Sequence, residues 1–142
     1  MIINVKNLQE TQKIAQQFAL RLKGGEVIGL MGELGAGKTV FVQALAKALG
    51  VKEKVNSPTF VLMKIYPALN HSSILNFVHV DAYRLKDSNE LKNIGLLDYL
   101  GRPDTVTVVE WADRVKEILP QGSMTVTISA GATDEARVID FS

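Results

Sequence analysis

The chain has 142 residues, 46% hydrophobic and 22% charged, which excludes disordered and collagen-like classes and suits one domain over residues 1–142 built on a single core. The 16 Lys and Arg nearly cancel the 15 Asp and Glu; a strong direct nucleic-acid binder carries a basic surplus against phosphates, so that class is not expected. Cysteine is absent, which removes disulfides and thiolate metal sites; with no apolar run near the roughly 20 residues of a membrane span and no leader-like pattern in residues 1–6, a cytoplasmic location is expected.

In chain order, Asn7 followed by Glu10 has the form of a capping box. Apolar spacing through Thr11, Ile14, Ala15, Phe18 and Leu22 then predicts an amphipathic helix over 8–23, ended by Gly24-Gly25. Residues 26–31 form a short apolar run that predicts a buried strand. A glycine-rich stretch follows at once, and from Lys38 the spacing Phe41, Ala44, Leu45, Ala48, Leu49 predicts a second helix, closed by Gly50. Residues 60–66 and 74–80 predict an antiparallel pair of strands around a turn at 67–73. Asp87 with Glu90 predicts a short helix carrying Leu91, Ile94 and Leu97. The β-branched run 105–109 predicts a central strand, residues 111–119 a helical turn, and 124–129 with 136–141 a closing hairpin. The fold expected is α/β, a mixed and mainly parallel central sheet flanked by helices, with antiparallel hairpins.

The strongest motif is Gly32-Glu33-Leu34-Gly35-Ala36-Gly37-Lys38-Thr39, which satisfies the phosphate-loop pattern G-x-x-x-x-G-K-[ST]. Glycines reach backbone angles that let successive N–H groups turn toward phosphate oxygens, and the helix beginning at Lys38 aims its positive dipole end at the same anion. Lys38 is expected to reach the β- and γ-phosphates and the Thr39 hydroxyl to bind Mg²⁺. The strand before the motif and the helix after it are the context such a loop requires. Glu33, a carboxylate beside bound phosphate, is expected to face solvent.

Phosphoryl transfer also needs a carboxylate for the metal, and two acids end apolar strands: Asp81 after 77–80 and Glu110 after 106–109. An acid at the carboxyl end of a central strand shares a sheet edge with the phosphate loop, where ligands of open α/β sheets bind. Spacing alone does not say which of the two holds the metal and which orients water.

Four signatures in order, namely residues 32–39, Asn56-Ser-Pro-Thr-Phe60, His79-Val-Asp-Ala-Tyr-Arg-Leu85 and Glu110-Trp111, make the chain resemble the TsaE family, small bacterial ATPases needed for threonylcarbamoyladenosine (t⁶A) in tRNA. The resemblance covers nearly the whole chain. It implies a P-loop ATPase that uses ATP and Mg²⁺ and works with a TsaB–TsaD complex, meeting tRNA through those partners. It matches Glu33 to the family's acidic loop position. It further implies Glu110 and Thr39 as Mg²⁺ ligands, Asp81 near the γ-phosphate, Ser57 and Thr59 in a switch-like loop, and Thr11 near the base. The nucleotide-binding set then comprises Thr11, Ser57, Thr59, and Glu33, Leu34, Gly35, Ala36, Gly37, Lys38, Thr39 and Val40; the catalytic set is Lys38, Asp81 and Glu110. Val40 departs from the second threonine found in many members, a loss of one hydrogen bond worth about 1 kcal/mol.

Taken without the resemblance, Ser57-Pro58-Thr59 reads as a turn into a strand, His79 as a polar core residue, His71 as an exposed loop residue and Trp111 as a packing anchor. Arg84 lies just past a strand end, where it could meet the γ-phosphate or a partner. A nucleotide-dependent adaptor without turnover and a small-molecule kinase are the alternative activities; no Asn-Lys-x-Asp stretch supports a GTPase.

Overall fold

Strand β2 (Val27–Met31) explains the architecture: four of its five residues are buried, so it must be covered on both faces. A computed structural model describes residues 1–56, 63–69, 71, 73–87 and 89–142. In it, β2 pairs in parallel with β5 (Thr105–Glu110) on one side and β6 (Met124–Ala130) on the other. β4 (Asn76–Asp81) adds in parallel to β5, and β3 (Met63–Pro67) closes that edge antiparallel to β4. At the opposite edge β7 (Arg137–Phe141) runs antiparallel to β6, and β1 (Ile2–Val5) antiparallel to β7. The order is β1-β7-β6-β2-β5-β4-β3. Four parallel strands form the centre and antiparallel strands guard both flanks, as the sequence pattern predicts.

Helices α1 (Leu8–Ala19) and α2 (Lys38–Ala48) cover one face, burying Phe18, Phe41 and Leu45 against Ile28, Leu30, Val106, Val108 and Ile128. The other face packs Val78, Val80 and Val109 against Leu91 of a short helix, α3 (Asn89–Asn93), and against Leu96 and Val115 of two 3₁₀ segments, Leu96–Asp98 and Ala112–Ile118. Alternation along β4 and β5 therefore sends Phe77 and Val106 to the α1–α2 face, and with them His79, Asp81 and Glu110.

Three local expectations change. The first helix stops at Ala19 rather than Lys23. Arg21 and Leu22 donate to the carbonyls of Phe18 and Ala19 in a tightened last turn, and the Glu26 carboxylate accepts the N–H groups of Lys23 and Gly24, ending the winding while Leu22 still reaches the core. The capping box is displaced: Asn7 accepts from the Glu10 N–H at 2.9 Å, but the Glu10 carboxylate accepts from the Lys6 N–H at 2.7 Å. Strand β1 was not expected, because its partner Arg137–Phe141 lies at the far end of the chain. The expected start of the third strand at residues 60–62 lies outside the described residues.

Candidate functional site

The phosphate loop leaves β2 at Gly32 and enters α2 at Lys38. Gly32 adopts φ 151°, and a Cβ there would stand 2.4 Å from the Ile128 carbonyl oxygen of β6, so only glycine lets the loop pass the neighbouring strand. Gly37, the N-cap of α2, adopts φ 101° in the left-handed region. The Ala36 N–H donates to the Glu33 carbonyl at 3.1 Å and tightens the bend between them. Glu33 and Leu34 are exposed, so the Glu33 carboxylate faces solvent as expected.

The Lys38 side chain curls back over this loop. Its Nζ donates to the carbonyl oxygens of Gly32 and Glu33 and lies 4.4 Å from the centre of the Trp111 ring. Burial lowers its pKa, partly opposed by the negative charges of Glu110, Asp81 and Asp113. Among the described residues the ammonium is held by two carbonyls and a ring face and makes no ion pair.

Asp81 and Glu110 end adjacent parallel strands and stand opposite each other in register. Their environments differ. Glu110 is 3% exposed, and its Oε2 accepts a 2.5 Å hydrogen bond from His79 Nε2. Asp81 is half-buried and accepts the Tyr83 N–H at 2.9 Å; burial raises its pKa against the lowering effect of that bond, with Glu110 pushing the same way as burial. The end of β5 is braced on both sides, because Glu110 O accepts the Ala82 N–H and the Trp111 N–H donates to Leu30 O. Trp111 pays for the second bond with φ 58°, the only non-glycine positive φ among the described residues.

One cleft of about 330 Å³ gathers Gly35, Gly37, Lys38, Thr39 and Val40 from the loop, Asp81 and Glu110 from the strand ends, and Tyr83 and Trp111 beside them. Its other wall is Leu8, Leu34 and Arg137. Thr11 does not line it: that residue is buried, its hydroxyl 3.4 Å from the Asn7 carbonyl, and Leu8, one turn earlier in α1, occupies the wall instead. Ser57 and Thr59 lie outside the described residues. Trp111 is more than a packing anchor, since its ring meets that of Tyr83 at 4.9 Å in a tilted arrangement and takes Lys38 and Arg114 against it. The sequence reading missed two residues. His79 is a buried polar core residue as expected, yet it is the donor that holds Glu110. Arg137 reaches the phosphate loop from β7, bonding the Ala36 carbonyl at 2.8 Å; no local pattern signals a contact between residues 101 positions apart.

Thr39, Asp81 and Glu110 supply only oxygen donors to the cleft, the set a hard divalent cation takes. Among the described residues no three His, Cys, Asp or Glu converge as a metal cage. One or two carboxylates and a hydroxyl, completed by water and phosphate oxygens, is how Mg²⁺ binds beside a nucleotide, so the residues present fit that ion. None of the described helices is long and apolar enough to cross a membrane.

Comparison with known proteins agrees with this geometry. Residues 5–139 match the model of a family described as threonylcarbamoyl adenosine biosynthesis protein TsaE. The tRNA threonylcarbamoyladenosine biosynthesis protein TsaE of Bacillus subtilis is 39% identical over 132 residues, 93% of this chain and 79% of the relative. Its namesake in Aquifex aeolicus is 43% identical over 110 residues, 76% and 74% of the two chains. Among solved structures, the crystal structure of Bacillus subtilis YdiB is similar with a TM-score of 0.75 at 33% identity, covering 99% of this chain and 83% of that one. The chain thus belongs to the TsaE family, and with it to the proteins of t⁶A biosynthesis in tRNA.

Proposed function

We propose that this protein is a Mg²⁺-dependent ATPase of t⁶A biosynthesis that acts in the cytoplasm with a TsaB–TsaD complex and meets tRNA through it. The observation that carries the reading is the convergence, in one cleft, of the phosphate loop with two strand-end carboxylates and the Lys38 ammonium. The near-neutral charge of the chain supports indirect contact with tRNA. The choice of adenine follows from family membership.

The loop amides and the N-terminus of α2 would receive the phosphates, with Lys38 leaving the Gly32 and Glu33 carbonyls for the β- and γ-phosphates. Thr39 and Glu110 would hold Mg²⁺, which neutralises charge on the phosphate oxygens. Asp81 would orient the attacking water and take up its proton: the water oxygen bonds to the γ-phosphorus while the bond from that phosphorus to the β–γ bridging oxygen breaks, releasing ADP and phosphate. A carboxyl whose pKa is raised by burial suits this task, because its basicity lies nearer the working pH. Leu34, Gly35, Ala36, Gly37 and Val40 would line or shape the nucleotide site, with Glu33 at its outer rim; Ser57 and Thr59 complete the proposed set, whereas Thr11 is buried away from the cleft. Val40 offers no hydroxyl to the α-phosphate.

The test is phosphate release from ATP with Mg²⁺, alone and with TsaB and TsaD. Release that rises with the partners is expected. Tight ATP binding with no release under any condition would leave a nucleotide-dependent adaptor, and transfer of phosphate to a metabolite a kinase.

A further inference from the structure

Arg137 sits on the last strand, yet its guanidinium is spent on backbone carbonyls. Nε donates to Ala36 O at 2.8 Å and one terminal nitrogen to Gly35 O at 3.4 Å; the other donates to Asp134 O and Ala136 O, both at 2.7 Å. The first two acceptors belong to the phosphate loop and the other two to the turn between β6 and β7. Among the described residues Arg137 makes no ion pair, and its side chain lines the nucleotide cleft. The fork lies against Gly37, where a Cβ would stand 3.4 Å from Nε.

A trans peptide plane carries its C=O and the next residue's N–H in opposite directions. Fixing the Ala36 carbonyl therefore fixes the direction of the Gly37 N–H, the amide at the N-cap of α2. Holding the Gly35 carbonyl does the same for the Ala36 N–H, which is spent on Glu33 O inside the bend. A planar, permanently charged donor can grip two consecutive carbonyls in this way, whereas a lysine ammonium lacks the fork.

We propose that Arg137 is a positioning residue for nucleotide binding, a clamp that grips the outer side of the phosphate loop from the closing hairpin and so aims the Gly37 amide into the cleft. The inference rests on the reading of that cleft as a nucleotide site. The loop is thereby ordered before the nucleotide arrives, and less ordering entropy is lost on binding.

The test uses the whole chain with R137M and R137K. In R137M, calorimetry is expected to show ATP and ADP bound roughly 10-fold more weakly by the same factor, since the clamp serves every phosphate that touches the loop. R137K keeps the charge and the aliphatic stem and is expected to recover less than half of that loss in log affinity. In the nucleotide-free proteins, ¹⁵N order parameters at Gly35 and Gly37 should fall from about 0.85 in the wild type to below about 0.6 in both variants, with other loops unchanged. Wild-type affinity in R137M, full recovery in R137K, or unchanged order at Gly35 and Gly37 would each overturn the clamp. The order-parameter measurement needs no nucleotide. A wild type that binds no nucleotide would instead break the functional reading and leave the clamp itself to stand or fall on loop order.

Discussion

β2, its neighbour β5 and the next strand, β4, end at the same edge of the sheet, but they end in different chemistry. β2 gives way to a glycine loop whose working groups are main-chain N–H groups and one lysine. β4 and β5 end in Asp81 and Glu110, whose carboxylates are held by His79, by the Tyr83 N–H and by the burial that flanking elements impose. On the proposed reading the loop holds an anion, and the strand ends handle a metal and a water. The difference teaches that the cleft has two parts, one encoded in eight consecutive residues and the other assembled across strands; if the first serves binding and the second turnover, as proposed, the two functions are separable.

Breaking the strand-end half should produce the largest effect. Asp81→Asn keeps the shape and the acceptor for the Tyr83 N–H but removes the charge that orients water, so kcat for ATP should fall by about 10² or more while ATP affinity moves only a few-fold. A parallel loss of affinity would mean that the two halves are not separable. The loop half is broken by Lys38→Ala, expected to weaken ATP binding roughly 10- to 100-fold in a calorimetric titration, from lost charged hydrogen bonds worth about 1.5–3 kcal/mol. Unchanged affinity in that variant would sink the assignment of the loop.

The support beneath the acids can be probed by His79→Leu, which leaves the Glu110 carboxylate 3% exposed without its imidazole donor. A denaturant titration should show a loss of about 2–4 kcal/mol, and His79→Gln, which keeps an N–H donor, should recover part of it. Stability equal to wild type in His79→Leu would show that the bond is not needed to bury Glu110. The smallest effect concerns pH. Because burial raises the Asp81 pKa, folding favours its protonated form, and the contribution of Asp81 to stability is present below about pH 4 and lost as pH rises through the folded-state value. Asparagine does not titrate, so the thermal midpoint of nucleotide-free Asp81→Asn should gain on wild type as pH rises from acid to neutral. A gap that narrows over that range would contradict the sign.

Much of this was legible before any coordinates. The period-3.6 runs opened α1 and α2 within a residue of their observed starts, and the β-branched run marked β5 as central because β-branched side chains suit a strand packed on both faces. Failures came where a contact outside the periodic pattern decided the outcome. Ile2–Val5 became a strand only by pairing with Arg137–Phe141, and α1 ended early because the Glu26 carboxylate took the N–H groups that further winding would have used. Motif and strand-end position singled out Lys38, Thr39, Asp81 and Glu110, which the fold gathers in one cleft, whereas Arg137 and the His79–Glu110 bond carry no local signature. Thr11, placed near the base by resemblance, is buried and does not line the cleft, which Leu8 of the same helix does.

By itself the sequence determined the phosphate loop and the alternation of strand and helix around it, because glycine angles, helix periodicity and strand burial are properties of neighbouring residues. Only the tertiary structure decided that Asp81 and Glu110 stand in register, that an imidazole from the next strand holds one of them, and that an arginine from the last strand grips the loop. Those are contacts between residues tens of positions apart, and they exist only once the sheet has brought strand ends within hydrogen-bond reach of one another.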